Sequence, residues 1–371
     1  MIEELTPFYT TIKDPEQTAQ SIKTKGKKIL GYLCSYAPEE LIFAAGCHPM
    51  RLFSRKTEIS LAENHLQAYC CSLVRGILEQ GLSGDLNYLD GTVFPHTCDS
   101  IQRLSDIWRL NMDQAFFADV IMPAKLTTAS ARDYMKTVLN KFKTDLESYI
   151  GHPITEDDLA ESIALFNRIR TRLDQIYTLK AEHPAVISGK DLFCVIKAAM
   201  IMDRNLLDTC LKDLLSALKN LPQKPGDPTR LILSGSVCDM PDLYTLVEDA
   251  GGAVVGDDLC SGQRWFQGLI PQDLPPMDGL TARYTDRVVC PAKHSGNFAR
   301  AKALIDLVKA KKAQGVVFTL LKFCDPHAFD FPYLKECLDK EGIPSLHLEM
   351  DDQQTNSGQM TTRVETFIQM I

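Results

Sequence analysis

The chain reads as an α/β protein of two lobes with a helical segment between them. Three observations carry this reading. Short apolar runs alternate with amphipathic stretches of helical period, the pattern of parallel strands joined by crossover helices. From about Thr127 to Asn220 the alternation gives way to helical periodicity almost throughout. Strand signals then return, after a Pro/Gly-rich stretch from Leu221 to Pro228 that reads as a linker. The expected division is residues 1–126, an α/β lobe, 127–222, a helical segment, and 223–371, a second α/β lobe. Each lobe is expected to be Rossmann-like, of the flavodoxin-like kind.

The elements follow in order. Lys28 to Leu33 reads as a strand, and Pro38 to Ala45 as a helix opened by proline with Glu39 and Glu40 in its first turn. Ile59 to Gln80 reads as one long amphipathic helix. Leu89 to Phe94 is a strand, Asp99 to Leu110 a helix, and Gln114 to Ile121 a further buried strand. In the second lobe the strands are Arg230 to Ser234, Ala253 to Gly256, Gly315 to Leu321 and Ser345 to Met350.

Composition narrows the function. Of the 371 residues, 45% are hydrophobic and 24% charged, which suits two or three globular domains with real cores. The net charge of −8 comes with no basic block, which argues against nucleic acid. Met1 to Thr11 has no apolar core of a secretory signal. The longest apolar stretch, Leu192 to Met202, is interrupted by Lys197 and is too short to span a bilayer. The expected setting is cytoplasmic. Neither a phosphate-cradling G-x-x-x-x-G-K-[ST] loop nor a G-x-G-x-x-G turn occurs, so no nucleotide is expected on this chain.

Twelve cysteines are the strongest chemical signal. Without export, disulfides are not expected, and no C-x-x-C pair occurs. Cys194, Cys210 and Cys337 lie among apolar neighbours and read as core or surface residues. Cys98 and Cys324 share a layout: an apolar run, then Cys-Asp, then a helix-like segment. In an open α/β sheet, ligands bind beyond the carboxyl ends of the strands. A thiolate there faces the crevice, and the following helix start favours its charge. Two such ends, one from each lobe, would close on a metal centre in the cleft between lobes. Cys71, in Cys70-Cys71-Ser72, is a third candidate, too far from Cys98 for a compact ferredoxin-type run.

These settings carry a resemblance. Pro38-Glu39-Glu40-Leu41-Ile42-Phe43-Ala44-Ala45-Gly46, Leu89-Asp90-Gly91 through Cys98-Asp99-Ser100, Lys322-Phe323-Cys324-Asp325-Pro326 and Thr361-Thr362-Arg363-Val364-Glu365-Thr366-Phe367 resemble, in the same order, the 2-hydroxyacyl-CoA dehydratase/benzoyl-CoA reductase family. The resemblance implies an oxygen-sensitive enzyme with a 4Fe–4S cluster held by Cys71, Cys98 and Cys324, with Cys70 as an alternative to Cys71. It implies low-potential electrons from an ATP-hydrolysing iron–sulfur activator of the ASKHA type, and a homodimer or a heterodimer with a related subunit. The substrate would be a 2-hydroxyacyl-CoA losing water through a ketyl radical, or a small reducible molecule.

Four further cysteines sit in motif-like settings: Cys34, Cys47, Cys260 and Cys290. One branch of the family carries an 8Fe–9S double-cubane cluster, which needs about twice the ligands, and Cys47, Cys260 and Cys290 are expected to hold its second half. The double-cubane reductase is the favoured expectation. A one-cluster (R)-2-hydroxyacyl-CoA dehydratase subunit and a non-catalytic electron-transfer subunit are the alternatives. His48, His96, His294 and His327 lie near these cysteines; His96 and His327 are the candidates for proton delivery. Arg264 with Asp257 and Asp258 reads as a buried ion pair lining the cleft.

Overall fold

The computed structural model describes residues 2–55, 58–222, 226–239, 241–287, 290–296, 298–350 and 357–371. Part of the linker stretch, 223–225, lies outside the described residues, as do 288 and 289 just before Cys290.

Two four-stranded parallel sheets organise the chain. The first contains β1 (Ile29–Tyr32), β2 (His48–Arg51), β3 (Gly91–Pro95) and β4 (Phe116–Val120), in the order β2-β1-β3-β4. The second contains β5 (Thr229–Gly235), β6 (Gly252–Asp258), β7 (Gly315–Leu321) and β8 (Ser345–Met350), in the order β6-β5-β7-β8. The two orders are the same, so each lobe is Rossmann-like and the lobes repeat one topology. Apolar side chains alternate across the second sheet. Leu231, Leu233, Val254 and Val317 pack on one face, and Ile232, Val255, Val316 and Phe318 on the other. Both faces are covered, as parallel sheets require.

Each order reverses direction at a switch point, between β1 and β3 in one lobe and between β5 and β7 in the other. These are the positions where such sheets bind ligands. At the second of them the backbone is tight: a Cβ added to Gly235 would lie 2.0 Å from the Thr319 carbonyl oxygen.

Four helices, Ala129–Ile150, Glu156–Glu182, Gly189–Ala199 and Arg204–Asn220, join the lobes. All four start on oxygen caps: Thr128, Thr155 and Ser188 accept the amides of Ala131, Asp158 and Asp191, and Asp203 accepts those of Asn205 and Leu206. The helices bind the lobes through buried charge. Glu39 accepts Arg204 Nη2 at 2.7 Å and Trp265 Nε1 at 2.6 Å. Glu40 pairs with Arg170. Burial alone would raise the Glu40 carboxyl, but Arg170 and Arg283 beside it bring it below the usual range. Tyr177 donates to Asp257 at 2.5 Å, and Tyr284 to the Ala37 carbonyl at 2.6 Å. The Pro38-Glu39-Glu40 segment is thus a clamp on which both lobes and the helical segment converge.

Two local readings differ from the structure. Ile59 to Gln80 is not one helix: a 3-10 turn at Ala62–Asn64 precedes a helix that starts only at Ser72 and ends at Leu82. Glu79 turns its carboxylate back onto the Ser60 and Ala62 amides, at 3.1 and 2.8 Å, which holds residues 60–62 as a turn. β2 is an edge strand the sequence pattern does not mark, since His48-Pro49-Met50-Arg51 lacks β-branched residues. Its outer edge is met by the helical segment: His48 Nε2 donates to Ile201 O at 2.8 Å, and Arg51 N to Met200 O at 3.0 Å.

Candidate functional site

Between the carboxyl ends of the two sheets lies one cavity with about 560 Å³ of atom-free space. Six cysteines line it: Cys34, Cys71, Cys98, Cys260, Cys290 and Cys324. The rest of the wall is mostly apolar, from Leu33, Val74, Ile101, Val237 and Leu321, with Arg51 and His327 the charged or titratable exceptions. Among the described residues no three His, Cys, Asp or Glu converge tightly enough to hold a single metal ion. The thiols instead surround a space, the arrangement a multi-atom group needs if each sulfur is to meet a different atom.

Three of the thiols start helices. Cys71 precedes Ser72–Leu82, Cys98 precedes Asp99–Asn111, and Cys324 precedes the helix Asp325–Lys340, each as its N-cap. An N-cap cysteine lies beside unsatisfied first-turn amides at the positive end of the helix dipole. Burial raises the thiols of Cys71, to about 12, and Cys324, to about 11, and raises Cys98 further. The amides of Val74 and Leu73, His327 and Ile101 respectively work against that rise. Cys71, Cys98 and Cys324 also act on one another as near charges.

The other three thiols sit in loops among cations. Cys34 follows β1, Cys260 follows β6, and Cys290 follows the helix Pro276–Asp286. Arg264 is 1% exposed and points Nη1 at Cys260 Sγ, 3.5 Å away, and at His327 Nε2, 3.3 Å away. Its Nε donates to Asp258 at 2.9 Å, so the ion pair read from the sequence is present; Asp257 is held separately, by Tyr177. Arg51 donates to the Cys260 carbonyl at 2.9 Å. Cys260 is lowered well below an ordinary thiol because Cys290 donates its S–H to it, with Arg264 adding to the effect; Cys290 is raised correspondingly.

Of the residues singled out from the sequence, Cys71, Cys98, Cys260, Cys290 and Cys324 meet at this cavity. Cys47 does not. It precedes β2, so it lies at the amino edge of the sheet, where burial lifts it to about 11 with Lys28 and Asp90 nearby. Cys34, at the carboxyl end of the neighbouring strand, lines the wall instead. Both cysteines adjoin strand ends; the polarity of the end decides which of them faces the cavity, and the unmarked β2 concealed that polarity. Cys70 is buried beside Cys71 without lining the cavity. Of the histidines, His327 lines the wall, 4% exposed and lowered by burial. His96 faces Asp119 at 2.8 Å, off the wall. His48 is fixed to Ile201, and His294 lies in an adjoining groove with Lys293 and Arg300. Sequence reasoning did not find Arg51 or Lys293, because an isolated cation carries no pattern.

Comparisons with known proteins agree with this architecture. The chain is 28% identical over 361 residues to the (R)-phenyllactyl-CoA dehydratase beta subunit of Clostridium sporogenes, covering 97% of this chain and 96% of that one. It is 28% identical over 378 residues to the (R)-2-hydroxyglutaryl-CoA dehydratase beta subunit of Acidaminococcus fermentans, covering 100% and 99%. It is 27% identical over 340 residues to a subunit of the benzoyl-CoA reductase of Thauera aromatica, covering 90% and 87%. The model of the family described as 2-hydroxyglutaryl-CoA dehydratase, D-component, matches residues 34–371, so the chain belongs to this family of enzyme subunits.

Proposed function

We propose that this chain is an iron–sulfur reductase in which Cys34, Cys71, Cys98, Cys260, Cys290 and Cys324 hold an 8Fe–9S double-cubane cluster. The observation that carries the reading is the ring of six thiols around a single cavity, twice the three that one open-site cubane takes. The cluster supplies a low-potential electron. The substrate is a small reducible molecule or an acyl-CoA.

This chain's residues do the rest. The two lobes bring three thiols from each sheet's end of the cleft or its loops into one wall. The apolar lining excludes water, which strengthens charge interactions inside. Arg264 holds the Cys260 side and the His327 ring in place. His327 lines the wall with Nε2 accepting from Arg264 Nη1, so a proton it delivers to a substrate in the cavity leaves from Nδ1. Electrons come from a separate ATP-hydrolysing activator docking where the lobes meet over Cys71 and Cys98. The chain functions as a homodimer or with a related partner chain, as the naming of its relatives as subunits favours.

Iron and acid-labile sulfide on anaerobically purified protein test this. About eight irons per chain support the double cubane, and about four refute it. The second reading is a dehydratase subunit with one cubane on Cys71, Cys98 and Cys324, favoured by the shared helix-start setting of these three. Under it, replacing Cys34, Cys260 and Cys290 together leaves the iron content unchanged.

A further inference from the structure

The cations around the cavity are unevenly placed. Arg287 is 5% exposed, donates Nη2 to Ser35 Oγ at 3.3 Å, and leaves Nε and Nη1 without a hydrogen-bond partner. Its guanidinium stacks on Tyr36, the ring two residues beyond Cys34, at 4.1 Å. Lys293 is 7% exposed and donates Nζ to the Met122 carbonyl at 3.1 Å; the thiols whose charge acts on it are Cys34 and Cys290, then Cys98. Arg51 is 3% exposed and also leaves Nε unpartnered. No carboxylate among the described residues pairs with any of these three. Arg51 lines the cavity, while Arg287 and Lys293 lie off its wall, beside Ser35 and in the Cys290 loop; buried cations without a counter-ion are costly unless an anion is held near them. Arg264 is the fourth, with its carboxylate partner on the side away from Cys260.

Arg264 meets the Cys260 sulfur and Arg51 the Cys260 carbonyl, Lys293 bonds through its own amide to the Cys290 carbonyl, and Arg287 holds Ser35 and Tyr36, next along the chain from Cys34. Among the described residues no Lys or Arg is a main influence on Cys71 or Cys98, and Lys293 feels Cys98 less than Cys34 and Cys290; the positive surroundings of Cys71 and Cys98 are helix starts, each worth about half an elementary charge. Arg264 reaches Cys324 only as a lesser influence.

We propose that Arg51, Arg264, Arg287 and Lys293 make the Cys34/Cys260/Cys290 side the one on which an added electron is held, an inference that rests on the double-cubane reading. The step is one electron in, with one ferric iron becoming ferrous and no bond made or broken. The extra negative charge is stabilised most where full positive charges are nearest and water is excluded. The helix-start side then receives the electron and passes it on, while the cationic side keeps it at the wall that carries His327.

The test is an EPR-monitored titration of the intact holoprotein with titanium(III) as the chemical reductant. Lys293→Met is expected to shift the one-electron equilibrium at least ten-fold against reduction, about 59 mV, and Lys293→Arg to restore most of it. Arg287, which does not line the cavity, gives the same reading through Arg287→Met and Arg287→Lys should Lys293→Met lose metal. Cys260→Ser is expected to change the g values of the reduced state. About eight irons with unshifted Met variants, or with g values unchanged in Cys260→Ser, would overturn the inference alone. About four irons in the wild type would remove the double-cubane reading, and this inference with it.

Discussion

The two sets of three thiols that share the cavity are built by different means. Cys71, Cys98 and Cys324 are N-caps, fixed by backbone that the helices dictate. Cys34, Cys260 and Cys290 are loop residues, and side chains from elsewhere reach two of them: Thr97 meets Cys34, and Arg51 and Arg264 meet Cys260. The first set is positioned locally: a strand ends, a cysteine takes the cap, and the helix starts. Both sets draw thiols from both lobes, but in the second even the placing of a single cysteine depends on docking, because Arg51 of the first lobe bonds to the Cys260 carbonyl of the second. The first set should therefore tolerate loosening of the lobes better than the second.

The largest effect expected on this contrast is on metal content. Replacing Cys34, Cys260 and Cys290 together by Ala should halve the iron of anaerobically purified protein and leave a simple cubane signal. Cys98→Ser or Cys324→Ser should instead deplete the helix-start side, since a hydroxyl is a poorer ligand for iron than a thiolate. Iron left at the wild-type level by the triple variant would sink the six-thiol assignment.

Breaking the clamp between lobes comes next. Glu39→Gln leaves Arg204 buried without its carboxylate, and Trp265 with a weaker acceptor. The expected cost is about 3–5 kcal/mol, read from the urea unfolding midpoint. Iron should be lost first from the Cys34/Cys260/Cys290 side as denaturant rises. A cost below about 1 kcal/mol would show that Glu39 does not join the lobes.

Acid should act through the amino edge of the first sheet, remote from the cavity. His48 is fully buried, and desolvation, with Arg204 nearby, lowers it to about 3. In the unfolded chain it titrates near 6.5. Between those values only the unfolded chain binds the proton, so stability is complete above about 6.5 and falls as the pH drops. About 2 kcal/mol should be missing at pH 5 relative to pH 8. His48→Gln, which keeps a donor for Ile201 O, should flatten this part of the pH profile; an unchanged slope would show that His48 is not the group responsible.

The smallest effect is expected at Cys47. Cys47→Ser should keep the full iron content and cost under about 2 kcal/mol, while Cys34→Ser lowers iron. Metal loss on Cys47→Ser would reverse the choice between the two edges.

What the sequence determined by itself is what is local. Hydrophobic period marked seven of the eight strands. The Cys-Asp steps after two of them located Cys98 and Cys324 at helix starts, because a strand end and an N-cap are each written within a few residues. Cys260 and Cys290 were legible as excess thiols at turns. What only the tertiary structure decided is which edge of a sheet a turn belongs to, and what lies across from it. Cys34 and Cys47 look alike in sequence, yet lie at opposite ends of adjacent parallel strands, and that follows from the pairing of Ile29 with His48. The cations obey the same rule: Arg51 comes from the first lobe and Arg264, Arg287 and Lys293 from the second, and they come near one another only when the lobes dock. Charge acts through space, and sequence separation does not record it.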